Sequence, residues 1–213
     1  LLYVVTGYDY IAPFYQFFSK LVFGDLLFEA QTLFLTKDLT PNKILIVGGG
    51  TGELLSFCLN QYPAVRITYV ESSKKMIELS KKKISRVDNA RVDFQCKSIF
   101  DWESKMKFDA VLLPFVLDLF SELNCQKLIA KTKYQLESEG RLVVADFSNN
   151  TSSFQNLLIG FMYKCFDSIN AVERNSLPDY ESIFRMHNLK IEKDKKLGKK
   201  LYKDLLVAYQ LAL

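Results

Sequence analysis

The run Gly48-Gly49-Gly50-Thr51-Gly52-Glu53 has the clearest chemistry-bearing spacing in the chain: glycines at alternate positions, closed by a carboxylate. Glycines at 48, 50 and 52 let the backbone take positive φ and approach a ligand with no Cβ in the way. The residues before them, 44–47, are Ile-Leu-Ile-Val. A run this short and this apolar reads as a strand buried on both faces of a parallel sheet. Pro41 and Asn42 punctuate its start. An apolar segment from Leu54 onward reads as a helix, whose free N–H groups and positive dipole end point back into the turn. Strand, turn and helix in this order hold the polar end of a ligand. Glu71 closes the next apolar run and Asp146 a later one; both stand at strand ends, on the edge where open α/β sheets bind ligands.

Two cofactor classes use such a turn. Dinucleotide binders need G-x-G-x-x-G, whose third glycine lets the helix pack close to the strand. Here that third position is Glu53, so the spacing is G-x-G-x-G. A glutamate at the helix start repels a pyrophosphate and suits a nearby ammonium. A nicotinamide-dependent dehydrogenase is therefore the weakest of three readings.

The elements that must position these residues follow in a regular rhythm. Residues 8–38 read as two helices, parted by Gly24 and Asp25, with Tyr8, Ile11, Tyr15 and Phe18 on one stripe and Leu26, Ala30, Leu33 and Leu35 on the other. Strands are predicted over 44–47, 67–71, 92–95, 109–113 and 141–145. Helices are predicted over 54–60, 74–84 (capped by Ser72 or Ser73) and 121–136, with Gly140 punctuating the approach to the fifth strand. After it come helices near 153–167 and 180–188, then two strands, 189–196 and 200–212, turning over Leu197-Gly198. Five strands each followed by a helix or loop imply a doubly wound parallel sheet, and the closing hairpin sets one antiparallel strand beside it.

At 213 residues the chain suits one α/β domain, with 1–40 as an N-terminal helical cap and 41–213 as a Rossmann-like core. A net charge of +4 is too mild to argue for nucleic acid. No apolar run approaches the roughly 18 residues that a spanning helix needs. The chain opens on Leu1, which leaves room for a preceding segment, and residues 1–23 lack the pattern of a signal peptide. Cys58, Cys96, Cys125 and Cys165 form no C-x-x-C pair and read as small buried hydrophobes in a reducing, cytoplasmic setting. With His187 as the single histidine, no metal site is expected.

The glycine string resembles the first motif of the class I S-adenosylmethionine-dependent methyltransferases, and further segments extend that resemblance over nearly the whole chain. Tyr69-Val70-Glu71-Ser72-Ser73-Lys74-Lys75-Met76 is similar to the second motif, and 92–100 to the third. Residues 108–116 are similar to the fourth motif, and Gly140–Asp146 to the fifth strand. Tyr8-Asp9-Tyr10-Ile11-Ala12-Pro13-Phe14-Tyr15 resembles the capping segment of small-molecule members, including the quinone C-methylating group.

The resemblance implies a mixed sheet of seven strands, ordered 3-2-1-4-5-7-6 with the last antiparallel, and S-adenosyl-L-methionine as cofactor. It assigns Gly48, Gly49, Gly50, Thr51 and Gly52 to the methionine end, and Glu71, with Ser72 and Met76, to the ribose. Two vicinal hydroxyl donors match one two-oxygen acceptor. Ser98 and Ile99 would bracket the adenine, and Pro114 and Phe115 would border the reacting methyl. The expected activity is in-line methyl transfer to a small molecule held near Tyr10, Phe14, Tyr15 and Asp118, among aromatics of 8–18 and 154–163. Asp146 is the candidate base.

Two positions depart from the family pattern. Ile46 stands where an acid usually precedes the first glycine, and Ser98 where an aspartate usually meets the adenine. They motivate the alternative reading of a catalytically inactive methyltransferase-like binding or scaffold protein. Plainer roles are open to several residues. Asp118 fits a cap of the following helix, and His187 a surface or capping position. Lys74, Lys75, Lys81, Lys82 and Lys83 fit a solvated helix face. Lys195, Lys196, Lys199 and Lys200 guard a strand edge or offer peripheral contact to an acidic partner or membrane surface.

Overall fold

The computed structural model describes residues 23–148, 177–199 and 202–213. Five runs pair in parallel as β1 (Lys43–Val47), β2 (Arg66–Glu71), β3 (Val92–Cys96), β4 (Phe108–Pro114) and β5 (Leu136–Phe147). The strands β6 (Lys190–Lys199) and β7 (Tyr202–Ala212) complete a seven-stranded sheet in the order β3-β2-β1-β4-β5-β7-β6, with β7 antiparallel to both neighbours. The helices described are α1 (Leu26–Thr32), α2 (Glu53–Gln61), α3 (Lys74–Lys82), α4 (Arg86–Asn89), α5 (Glu122–Tyr134) and α6 (Tyr180–Met186).

The apolar run Ile44–Val47 of β1 lies inside the sheet, between β2 and β4, with both of its faces covered. Ile44, Leu45 and Ile46 are fully buried and Val47 nearly so. Strand alternation then sorts the core. Leu45, Val47, Val111, Leu113, Leu142 and Val144 pack with Leu128, Ile129, Ile183 and Phe184 of α5 and α6. Ile44, Ile46, Leu112 and Val143 pack with Leu54, Leu55 and Cys58 of α2 on the other face. A third cluster joins Phe23, Leu26 and Ala30 to Phe147, Leu197, Leu205 and Leu206. The strand order reverses at β1, which pairs with β2 on one side and β4 on the other. The crevice of such a fold opens at the C-terminal ends of these strands.

Several expected boundaries move. β5 begins at Leu136, inside the residues expected to be helical. The register steps from Phe108↔Leu136 to Ala110↔Arg141, so residues 137–140 bulge. Gly140 therefore lies within the strand; a Cβ there would sit 2.9 Å from the Glu137 carbonyl and 3.0 Å from that of Phe108. α3 stops at Lys82. α6 stops at Met186, where Asn188, at φ 52, closes a Schellman turn: its N–H reaches the Arg185 carbonyl and that of Leu189 reaches Phe184. The hairpin does not turn over Leu197-Gly198. Leu197 is buried against the third cluster, and β6 continues to Lys199.

Cys58 and Cys125 are buried, but Cys96 is exposed, because β3 is an edge strand with little cover. The other edge, β6, exposes Lys190, Glu192, Lys193, Asp194, Lys195 and Lys196, a charged row that resists strand addition. Lys74, Lys75, Lys81, Lys82 and Lys83 are exposed on and after α3. The expected first helix, the helix near 153–167, Tyr10, Phe14, Tyr15, the aromatics of 154–163, Cys165 and Lys200 lie outside the described residues. Among the described residues, no helix is long and apolar enough to cross a membrane.

Candidate functional site

The glycine turn leaves β1 and is tied at once to β2: the Gly48 N–H donates to the Val70 carbonyl at 2.8 Å. Its glycines have different reasons to be glycine. A Cβ at Gly48 would lie 2.7 Å from Val116 Cγ2, and one at Gly49 would lie 2.4 Å from the Tyr69 ring. One at Gly52 would lie 2.5 Å from Ser80 Cβ and 2.8 Å from its Cα. Gly50, at φ +61, has nothing within 4 Å of the corresponding position. The protein fills the space beside the other three, while Gly50 faces open space. Next to it, Gly52 is the N-cap of α2 and supplies no side-chain cap, so the helix turns its positive dipole end toward this place.

Glu71, at the C-terminal end of β2, reaches the same place. Its Oε2 accepts from the Gly50 N–H at 3.1 Å and its Oε1 from the Ser73 N–H at 2.9 Å. Burial pushes its carboxyl pKa up, while the N–H groups of Ser73, Gly50 and Ser72 pull the other way. Tyr69, absent from the candidate residues, belongs to this group: its hydroxyl donates to the Gly50 carbonyl at 2.7 Å. The signal was in its place two residues before Glu71, on the same face of the strand.

Ser72 is half-buried, and Ser73 rather than Ser72 caps α3, accepting from the Met76 N–H at 3.1 Å. Met76 lies on the buried face of α3, and Thr51 is buried in the turn. Beyond β3, the Ser98 hydroxyl accepts from the Phe100 N–H at 3.3 Å, and its carbonyl accepts from Asp101 and Trp102. Ile99 is buried in the cluster that holds Val47 and Val70.

At the opposite side of the crevice, Pro114 ends β4 and Phe115 follows at φ 53. An aromatic residue in the left-handed region is uncommon and persists where its surroundings determine it. Its N–H bonds the Ala145 carbonyl at 2.7 Å, and its ring lies 5.4 Å from that of Phe147. Val116 then packs on Gly48, so this side and the glycine turn touch.

Three expectations change here. Asp146 is fully buried, and its carboxylate accepts from the N–H groups of Leu117, Asp118 and Phe147 at 3.0, 3.3 and 2.8 Å. A carboxylate so engaged braces the 3₁₀ turn Leu117–Leu119 and is poorly placed to take a proton from an acceptor. Asp118 is buried in that turn and does not cap α5, whose cap is Ser121. Glu53, the suggested ammonium partner, is exposed and paired to Lys83 Nζ at 3.1 Å. Ile46 is fully buried among apolar neighbours, so nothing ionic replaces the missing acid at that position. His187 caps the C-terminus of α6, and its carbonyl accepts from Lys133 near the start of β5, at the sheet edge opposite the crevice. Among the described residues, no group of three or more His, Cys, Asp or Glu side chains could hold a metal ion.

The crevice thus combines a helix start without a side-chain cap, an open glycine and a buried carboxylate. These suit a ligand carrying a carboxylate at one end and hydroxyl donors further along.

Comparison with known proteins agrees with this geometry. A family described as a methyltransferase domain matches residues 44–140. The demethylmenaquinone methyltransferase of Thermotoga maritima is 26% identical over 160 residues, 74% of this chain and 67% of that protein. The malonyl-[acyl-carrier protein] O-methyltransferase of Priestia megaterium is 30% identical over 139 residues, 65% of this chain and 47% of that protein. The chain thus spans about half the length of that second relative. Among solved structures, the plantazolicin methyltransferase BpumL, in complex with a pentazolic desmethylPZN analogue and SAH, superposes with a TM-score of 0.70 at 17% identity. That match covers 99% of this chain and 96% of the other. At that identity, the likeness speaks to fold.

Proposed function

We propose that this chain is a member of the class I S-adenosylmethionine-dependent methyltransferase superfamily and methylates a small molecule with S-adenosylmethionine as donor. The carrying observation is the Glu71 carboxylate, bonded to the Gly50 N–H at 3.1 Å and set beside the uncapped start of α2. The residues present fit the cofactor. The open face at Gly50 and the positive dipole end of α2 suit its amino-acid carboxylate, Glu71 suits its ribose diol, and Ser98 and Ile99 flank the place for its adenine. The cofactor, when bound, supplies an electrophilic methyl on a sulfonium.

The chain's own contribution is alignment and exclusion of water, since displacement at a methyl needs little covalent help. The half-buried Phe115, backed by the buried Phe147 ring, offers an aromatic surface at the far end of the crevice, favourable to a sulfonium and to an apolar acceptor. With Asp146 held by three N–H groups and His187 at the other edge, the acceptor is one that needs no strong protein base: an activated carbon, an amine or an acidic hydroxyl. The N-terminal residues 1–40 would cover the acceptor as part of the same domain. Four widely spaced cysteines with no C-x-x-C pair are in keeping with a cytoplasmic protein.

Isothermal calorimetry with S-adenosylhomocysteine tests the reading. Micromolar-range binding is expected, weakened about 10- to 100-fold in Glu71→Ala, the scale of losing a charge-assisted hydrogen-bond pair. No heat of binding at millimolar ligand would remove the proposal.

A further inference from the structure

We infer that Tyr69 is a positioning residue for the nucleoside half of the cofactor site, presetting the Gly50 peptide and, through it, the Glu71 carboxylate. The inference rests on the methyltransferase reading above and deepens it. The Gly50 peptide is held from two directions. Its N–H donates to Glu71 Oε2 at 3.1 Å, and its carbonyl accepts from the Tyr69 hydroxyl at 2.7 Å. Both clamps come from the same strand at i and i+2, so the pleat itself sets their spacing.

The Tyr69 ring is fully buried and does a second job. It lies directly under Gly49, where a Cβ would come within 2.4 Å of Cε2 and 2.7 Å of the hydroxyl oxygen. Three consecutive glycines at 48–50 are more than a G-x-G-x-G turn requires. The middle one is glycine here because Tyr69 occupies the space its side chain would take. The ring is fixed in turn by Phe94, 5.5 Å away in an edge contact, and the hydroxyl lies within reach of Ser80.

The consequence is a turn that is set before any ligand arrives. Gly50 is the one glycine of this turn with open space beside it, and three adjacent glycines would otherwise leave its peptide free to rotate. A rotated peptide would withdraw the N–H from Glu71 Oε2 and leave the carboxylate held from the Ser72–Ser73 side alone, with more freedom to shift away from a ribose diol. Tyr69 removes that freedom at its own expense in folding, and binding no longer has to order the turn.

The test uses Tyr69→Phe, which keeps the ring and removes only the hydroxyl, with calorimetry against S-adenosylhomocysteine and its 2′-deoxy analogue. Affinity for S-adenosylhomocysteine is expected to fall about 10-fold, the scale of one buried hydrogen bond. The preference of wild type for the ribose over the 2′-deoxy ligand is expected to shrink in the variant, because Glu71 is no longer held to its post. A purely structural role would weaken both ligands alike and leave that preference intact, and that result would overturn the inference. Unchanged affinity in Tyr69→Phe would do the same.

A second pair of variants probes the ring. Gly49→Ala is expected to abolish binding, and Gly49→Ala with Tyr69→Val to regain a folded protein with weak binding. Wild-type affinity in Gly49→Ala would count against the close contact. If wild type itself failed to bind S-adenosylhomocysteine, the cofactor reading would fall first; binding by wild type with an indifferent Tyr69→Phe would leave that reading standing and remove this one.

Discussion

At the scale of single residues, Glu71 carries the most consequence. Burial raises its pKa above that of an ordinary glutamate. The ionised carboxylate is the form that accepts two hydroxyl hydrogen bonds, so affinity for S-adenosylhomocysteine is expected to decline as pH falls through this raised value. The decline begins at a higher pH than for an exposed glutamate. Folding stability moves in the opposite sense. The folded state binds this proton more tightly than the unfolded chain, so the group's contribution is fully present below the unfolded pKa and is lost as pH rises through the folded one. Calorimetry across pH and thermal melts of the free protein check the two halves, and Glu71→Gln should flatten both. The cysteines offer a simpler check. Cys96 is exposed, whereas Cys58 is buried and its thiol is pushed up to about 12 by burial. A thiol reagent near neutral pH is expected to label Cys96 in the native protein and to reach Cys58 only after denaturation, as mass spectrometry of the digested protein would show.

At the scale of elements, Arg91 holds the end of α2 in place. Its guanidinium donates to the carbonyls of Leu59, Tyr62 and Pro63 at 3.1, 3.2 and 2.9 Å, and pairs with Asp88 of α4. A cation on the last carbonyls of a helix satisfies orphan acceptors and complements the dipole. Since α2 begins at the glycine turn, its C-terminal anchor also steadies the ligand end. Arg91→Met is expected to cost about 1–3 kcal/mol in a urea titration, with a smaller effect on cofactor affinity than Glu71→Ala. Spacing along the sequence could suggest neither the partners nor the effect, because Arg91 lies 28 to 32 residues from the carbonyls it caps.

At the scale of the whole molecule, the C-terminal hairpin is part of the core. β7 lies between β5 and β6, and Leu205, Leu206, Val207, Ala208 and Leu211 are all at least 98% buried. Removing residues 202–213 would expose the β5 edge and the apolar faces of Leu197 and Phe147. Each buried aliphatic side chain stabilises by roughly 1.5–3 kcal/mol, and a typical domain has only about 5–15 kcal/mol to lose. The truncated chain is therefore expected to be insoluble or unfolded, read by circular dichroism and sedimentation, although the deletion is far from the glycine turn in sequence.

What the sequence by itself determined was local: the apolar runs, the glycine turn, the carboxylate closing β2 and the rhythm that makes a doubly wound sheet. These are set by period, by turn chemistry and by φ, all of which act over a few residues. Resemblance of the ordered motifs supplied the cofactor and the strand order, and the observed order agrees. Tertiary structure alone decided which side chains fill the space beside each glycine and which carboxylates have partners. Asp146, legible as a strand-end acid, is held by N–H groups of a turn 28 and 29 residues earlier. Glu53, legible as a helix-start acid, faces Lys83 instead of the turn. Tyr69, part of the second-motif segment but given no role there, closes the turn on Gly50. Hydrogen bonds and close packing are specified at ångström range between segments distant in the chain, and a pattern of residue types does not resolve that range.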